Sequence, residues 1–156
     1  MRMSVLGRQA LIEMEGSECI AYRDSAGLPT IGCGHLLTKD ELSSGKLLID
    51  SVSVKWKDGL TGSQVEALLA QDIAPVENAV TAAVKVPLHE DQFDALVCFA
   101  FNVGTGAFRN SNLLRKLNAG NYAAVPAQLR RWVHAGGEVV AGLANRREKE
   151  VALWMA

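Results

Sequence analysis

A chain of 156 residues with 49 % hydrophobic and 21 % charged side chains has the size and make-up of one ordered globular protein, able to bury on the order of 70 % of its unfolded surface. That balance excludes disordered and low-complexity chains, and no apolar run approaches the roughly 18 residues of a membrane span, so no stable membrane association is expected. The net charge of −1 hides an asymmetry: residues 1 to 104 carry 8 basic and 14 acidic side chains, residues 105 to 156 carry 8 and 3. An anionic partner facing the C-terminal third is one expectation. The plainer one is that Arg130, Arg131, Arg146, Arg147 and Lys149 are solvated helix faces.

In chain order, Ser4 is placed to cap a helix running to about Met14, with Val5, Leu11, Ile12 and Met14 on its apolar side and Gly16 as its stop. From Cys19 to Gly34 two short β-like runs, CIAYRD and TIGCG, flank SAGLP, the loop of a hairpin. Residues 46 to 62 mix alternation with turn residues and read as irregular. A helix from about Gly62 to Val84 follows, which Pro75 should kink or interrupt. In DQFDALVCFAFNVG, Phe93, Leu96, Val97, Ala100 and Phe101 form the broad apolar stripe of a central core helix. Shorter helices are expected over Ser111 to Leu117, Tyr122 to Val133 and about Ala144 to Trp154, which makes the second half all α. The fold class is α+β: a small N-terminal β lobe over about residues 15–60, and a larger helical lobe over about 61–156 that takes in the N-terminal helix. A cleft between the lobes is the expected ligand site. Cys19, Cys33 and Cys98 lack metal-ligand spacing and read as buried thiols, with a Cys19 to Cys33 bridge as the alternative.

The stretch EGSECIAYRDSAGLPTIGCGH holds the chemistry. Glu15 ends the first helix, where unpaired carbonyls disfavour a carboxylate, which suits a group that must hand over a proton. Asp24 and Thr30 bracket a five-residue loop; if the hairpin closes at that pair they stand opposite each other, about 4.5–5.5 Å apart at Cβ, and can hold one water between them. An acid on one side and a held water on the other is the arrangement of inverting glycoside hydrolysis. Taken singly, each of these residues is an ordinary helix-end, turn or strand residue; their joint spacing ahead of GCGH is what points to catalysis.

The string E-G-x7-D-x5-T-I-G-x-G-H resembles the N-terminal signature of the phage-type lysozymes, the endolysins of glycoside hydrolase family 24. Similarity continues through QFDALVCFAFNVGTGAFRNSNLLRKLNAGNY, RRWVHAGG and GLANRREKEVALW. The resemblance implies a lysozyme-like fold and an endolysin that hydrolyses the β-1,4 bond between N-acetylmuramic acid and N-acetylglucosamine in peptidoglycan, for host lysis and phage release. It implies Glu15 as general acid, Asp24 as the residue that activates water, and Thr30 as the third member. It also implies Leu36, Phe101 and Ser111 as saccharide-facing positions, and His35 with Asp72 as a structural pair tying the two lobes together. Peptidoglycan is the expected partner, with no nucleic acid, no metal and no cofactor. A monomer made in the host cytoplasm and acting on the wall in the periplasm is expected, with possible help from a holin. Two departures stand out: many similar enzymes are strongly basic, whereas this chain has pI ≈ 6.3, and some begin with a hydrophobic signal-anchor segment that is not seen here.

Two rival readings compete. A lytic transglycosylase would cut the same bond with a catalytic Glu alone, and Asp24 with Thr30 argues for hydrolysis instead. A non-catalytic wall-binding module would have lost one of the three residues, and all are present.

Overall fold

The computed structural model describes all residues, 1–156. The chain divides into two compact units, Leu11–Ala74 and the pair of segments Met1–Ala10 and Pro75–Ala156. An α+β architecture results, as the order of patterns implies.

Helix α1 spans Val5–Glu15. Its cap is Ser4, whose hydroxyl accepts from Gly7 N at 2.9 Å and donates to Asp94 Oδ2 at 2.5 Å. Asp94 is fully buried and also accepts from Ser4 N at 3.0 Å, and buried Glu77 accepts from Met3 N at 2.6 Å. Two interior carboxylates thus hold the backbone that leads into the helix, while the Ser4 hydroxyl satisfies one of the donors that its first turn leaves open. At the other end Gly16, with φ 78°, donates to Ile12 O and closes the helix.

The sheet-bearing unit holds β1 (Glu18–Arg23), β2 (Pro29–Gly32) and β3 (His35–Leu36), antiparallel in the order β1-β2-β3. Helix α2, Lys39–Ser44, begins with a reciprocal capping box between Thr38 and Glu41 and ends on Gly45 in the left-handed region. The segment expected to be irregular is in fact a second hairpin, β4 (Lys46–Ile49) with β5 (Val52–Lys55), turned by Asp50 and Ser51 at φ 51° and 67°. Both turn residues at positive φ match the twist of the strands, and Asp-Ser disguised a turn more often written with glycine. A short 3-10 turn, Trp56–Asp58, leads on. Leu11, Ile31, Leu47, Trp56, Leu60, Val65, Leu68 and Ile73 are buried in this unit.

Helix α3 runs from Gly62 to Ala83 without a break, with Pro75 inside it. The expected interruption is absent because buried residues lie on both sides of the proline, Leu68, Leu69 and Ile73 before it and Ala79 and Val80 after. Their burial outweighs the roughly 3 kcal/mol that an interior proline costs.

The other unit is organised by α4, Glu90–Val103, buried without interruption from Phe93 to Ala100. Around it lie α5 (Thr105–Arg109), α6 (Asn112–Asn118), α7 (Val125–Leu129) and α8 (Ala141–Met155). The helix expected over Tyr122 to Val133 is only a 3-10 turn, Tyr122–Ala124, followed by the five residues of α7. The chain then forms a small hairpin, β6 (His134–Ala135) with β7 (Glu138–Val139), turned by Gly136 and Gly137 at φ 60° and 82°. The second half is therefore not purely helical: the Gly-Gly pair expected to stop a helix turns a hairpin instead. No helix is long and apolar enough to cross a membrane.

The cysteines also need correction. Cys33 and Cys98 are buried thiols, but Cys19 is exposed, and no disulfide links it to Cys33. Strand β1 turns Glu18, Cys19 and Ile20 outward despite their apolar surroundings in the sequence.

Candidate active site

Glu15 is the last residue of α1 and is half-buried. Its carboxyl rests against Gly34, the second glycine of GCGH. That glycine has φ 75°, and a Cβ added to it would lie 2.6 Å from Glu15 Oε2. Only glycine allows both that backbone conformation and that approach. The neighbouring Cys33 thiol is held protonated: burial pushes its pKa up, a hydrogen bond from the Ser17 side chain acts the other way, and the charge of Glu15 adds to the rise.

Asp24 lies one residue beyond β1, and its Oδ1 accepts from Ala26 N at 2.9 Å and Leu28 N at 2.8 Å. The loop backbone closes with Asp24 N donating to Leu28 O and Gly27 N to Asp24 O, both at 2.9 Å. Oδ1 is thus consumed in shaping the loop, as Asp commonly does at turns, while Oδ2 carries no protein hydrogen bond. The expected face-to-face pairing of Asp24 with Thr30 does not occur. The register is Tyr22 with Thr30 and Arg23 with Pro29, so the loop is tighter than expected and Thr30 sits opposite the residue two before Asp24. Cross-strand neighbours on a diagonal lie roughly 7–8 Å apart, against about 4.5–5.5 Å for a direct pair.

Thr30 is 1 % exposed, and its hydroxyl donates to Leu28 O at 2.9 Å. The donor is used, and only the oxygen's lone pairs are left to receive a further proton. Tyr22, which sequence reasoning passed over, is the group on which both carboxyls act. Burial raises the pKa of its phenol first, and the charges of Glu15, Glu18 and Asp24 raise it further, in that order. The phenol therefore stays protonated in the field of both acids, and its cross-strand partner is Thr30.

His35 and Asp72 do meet: Nδ1 lies 2.8 Å from Asp72 Oδ2, while Nε2 lies 3.0 Å from Glu41 Oε1. Both residues belong to the unit Leu11–Ala74. Glu41 is a third member that the sequence analysis missed, although the capping-box pattern Thr38-x-x-Glu41 was there to mark it. Burial of the imidazole works against its charge, yet the hydrogen bonds and charges of Asp72 and Glu41 prevail and raise its pKa to about 9.

Leu36, on β3, is 51 % exposed, and Phe101, near the end of α4, is only partly buried. Ser111 is 5 % exposed and caps α6, donating to Phe108 O at 2.6 Å and accepting from Leu114 N at 3.1 Å. The reading of five basic residues as solvated faces fails for two of them. Arg146 and Arg147 are 8 % and 1 % exposed, set around fully buried Glu150. Arg147 Nε lies 2.7 Å from Glu150 Oε1, Arg146 Nε donates to Glu150 Oε2 at 3.2 Å, and the Arg147 guanidinium covers the Phe99 ring at 5.1 Å.

The Phage lysozyme family matches residues 12–150. This chain belongs to the phage lysozyme family. It is 40 % identical over 147 residues to the SAR-endolysin of Escherichia phage Mu, covering 94 % of this chain and 77 % of that protein. To the endolysin of Salmonella phage P22 it is 38 % identical, over 100 % of this chain and 99 % of the relative. Among solved structures, the endolysin of Escherichia coli O157:H7 phage FAHEc1 superposes with a TM-score of 0.83 at 34 % identity, over 99 % of this chain and 94 % of that one. Membership of the phage lysozyme family makes the protein a muramidase-type glycoside hydrolase of phage lysis.

Proposed function

We propose that the enzyme cleaves the β-1,4 bond between N-acetylmuramic acid and N-acetylglucosamine by single displacement with inversion, releasing phage by opening the host wall. Glu15 protonates the leaving oxygen. Asp24 Oδ2, the oxygen left over after Oδ1 has shaped the loop, takes a proton from the attacking water. Thr30 accepts one hydrogen bond from that water and so orients it. The supporting observation is the joint placement of Glu15 against Gly34 and of Asp24 with one oxygen fixed by the loop, and the charges of both carboxyls reach the Tyr22 phenol. Inversion requires them to be about 6.5–9.5 Å apart, wide enough for water, where a covalent route would need about 5 Å. Leu36, Phe101 and Ser111 line the path of the saccharide. The protein acts as a monomer on peptidoglycan in the periplasm, reaching it with the help of a holin.

The test is turbidity loss of outer-membrane-permeabilised Gram-negative cells. Glu15→Gln is expected to lower the rate by at least about 10²-fold, the low end for a positioned acid, with Tm unchanged; equal lysis by both proteins would remove Glu15 from the mechanism. NMR of the first-formed anomer separates inversion from retention. Mass spectrometry of the muropeptides separates hydrolysis from transglycosylation, since anhydro ends without added water would establish the latter.

A further inference from the structure

Tyr22 has no part in the bond changes proposed above, yet it stands among the groups that carry them out. It is paired directly with Thr30 across β1 and β2, and Asp24, two residues further on, falls on the same face by the alternation of a strand. The phenol is half-buried and forms no hydrogen bond within the protein. It keeps its proton, because burial and the charges of Glu15, Glu18 and Asp24 all push its pKa up.

The four polar side chains differ in what they have left to give. Asp24 Oδ2, as the group that takes a proton from water, only accepts. Thr30 has spent its hydroxyl proton on Leu28 O. The proton of Glu15 is committed to the leaving oxygen. Tyr22 is therefore the one member of the four with a donor to spare.

The glycan offers an acceptor that fits. Water held by Asp24 and Thr30 attacks the anomeric carbon, so a group beside Thr30 reaches the atoms next to that carbon. One is the ring oxygen, which gains positive character in the oxocarbenium-like transition state and repels a donor. The other is the neighbouring carbon with its acetamido group, whose carbonyl accepts as any amide does.

We propose that the Tyr22 phenol donates a hydrogen bond to the acetamido carbonyl of the N-acetylmuramic acid whose bond is cut, so that the enzyme selects N-acetylated over de-N-acetylated glycan. The inference rests on the peptidoglycan reading above and gives it a specificity-determining residue. The carbonyl takes no part in the bond changes, so the contact is the same before and during the reaction and acts on KM rather than on kcat.

The test uses soluble glycan strands as isolated and after de-N-acetylation of their muramic acid. Release of reducing ends is followed against substrate concentration for wild type, for Tyr22→Phe, and for the control Tyr122→Phe, which removes a phenol spent on Pro87 O in the other unit. Tyr22→Phe is expected to raise the half-saturating concentration of the acetylated strands about tenfold, the worth of one hydrogen bond, with kcat unchanged, and to match wild type on the de-N-acetylated strands. Comparing the two proteins on each substrate cancels the charge that the freed amine brings. An equal rise on both substrates, the same rise from the control, or no rise would overturn the proposal. So would a change in kcat with displaced limbs of its pH profile, which would make Tyr22 a positioning residue for the two acids. NMR titration of the Asp24 and Thr30 amides with a soluble tetrasaccharide of the same glycan reads binding without turnover: the Kd of the acetylated form should weaken about tenfold in Tyr22→Phe, and an equal Kd for both proteins, or no saturable shift in wild type, would refute the contact. If wild type cleaves neither form of the strands, the hydrolytic reading fails, and this titration still decides whether Tyr22 holds the acetamido group.

Discussion

The sheet-bearing unit buries one imidazole between two carboxylates, His35 with Asp72 and Glu41, whereas the helical unit buries one carboxylate between two guanidiniums, Glu150 with Arg146 and Arg147. The His35 side chain keeps 14 % of its surface in solvent, and that of Glu150 keeps none. Burial pushes the Glu150 carboxyl pKa up, and Arg147 and Arg146 pull it back. A guanidinium does not lose its proton in the range where proteins fold, but an imidazole does. One cluster is therefore conditional on pH staying below the His35 pKa, while the other loses its central charge only toward acid, although each surrounds a single charge with two of the opposite sign.

Breaking the Glu150 cluster should cost the most. Glu150→Ala leaves two guanidiniums without their central anion, a loss of about 3–5 kcal/mol. At roughly 2–4 °C per kcal/mol for a chain of this size, calorimetry should show Tm falling by about 6–20 °C, at pH 6 and at pH 9 alike. A fall of less than about 2 °C would mean that the cluster is not an interior one.

Next comes the conditional cluster. The folded-state pKa of His35 is raised to about 9 above an unfolded value near 6.5, so its stabilisation is fully present below about pH 6.5 and is lost as pH rises through about 9. The size is on the order of 3 kcal/mol. Asp72→Asn should remove about 2 kcal/mol of it in urea unfolding at pH 6 and almost nothing at pH 10. A destabilisation independent of pH would show packing rather than charge at that site.

A smaller effect sharpens the division of labour within the same cluster. Glu41→Gln keeps the shape of the α2 cap while removing one charge, and should lower stability by about 1 kcal/mol at pH 6. NMR titration should find the His35 pKa lowered further by Asp72→Asn than by Glu41→Gln, following their order of influence on the ring. The smallest change is expected at the exposed pair Arg130 and Glu148: Glu148→Gln should leave Tm within measurement error, because solvent screens the pair.

Several features could be read from the chain alone. The Ser4 cap, the stop at Gly16 and the apolar stripe of α4 follow from local preference and helical period, and the structure places all three where the pattern does. Glu15, Asp24 and Thr30 stand out as candidates by their spacing. Their geometry was less accessible, because Asp24 drew two loop amides onto Oδ1 and tightened the turn, which moved Thr30 opposite Tyr22. The hairpin β4 to β5 escaped because its turn residues are Asp50 and Ser51, and α2 escaped although its capping box was in plain sight.

The sequence by itself determined the α+β class, the family and the main helices α1, α3, α4 and α8, since periodicity, caps and motif spacing are local properties. Only the tertiary structure decided which charges are interior. Arg146 and Arg147 look like Arg109 and Arg115 along the chain, yet the first two are buried and the others exposed. Burial depends on what distant segments bring to each side chain: Cys98 O and Glu150 for Arg146, Asn102 and Trp132 O for Arg147. A charge leaves water only where partners from elsewhere in the chain replace its hydration, and no local pattern encodes that.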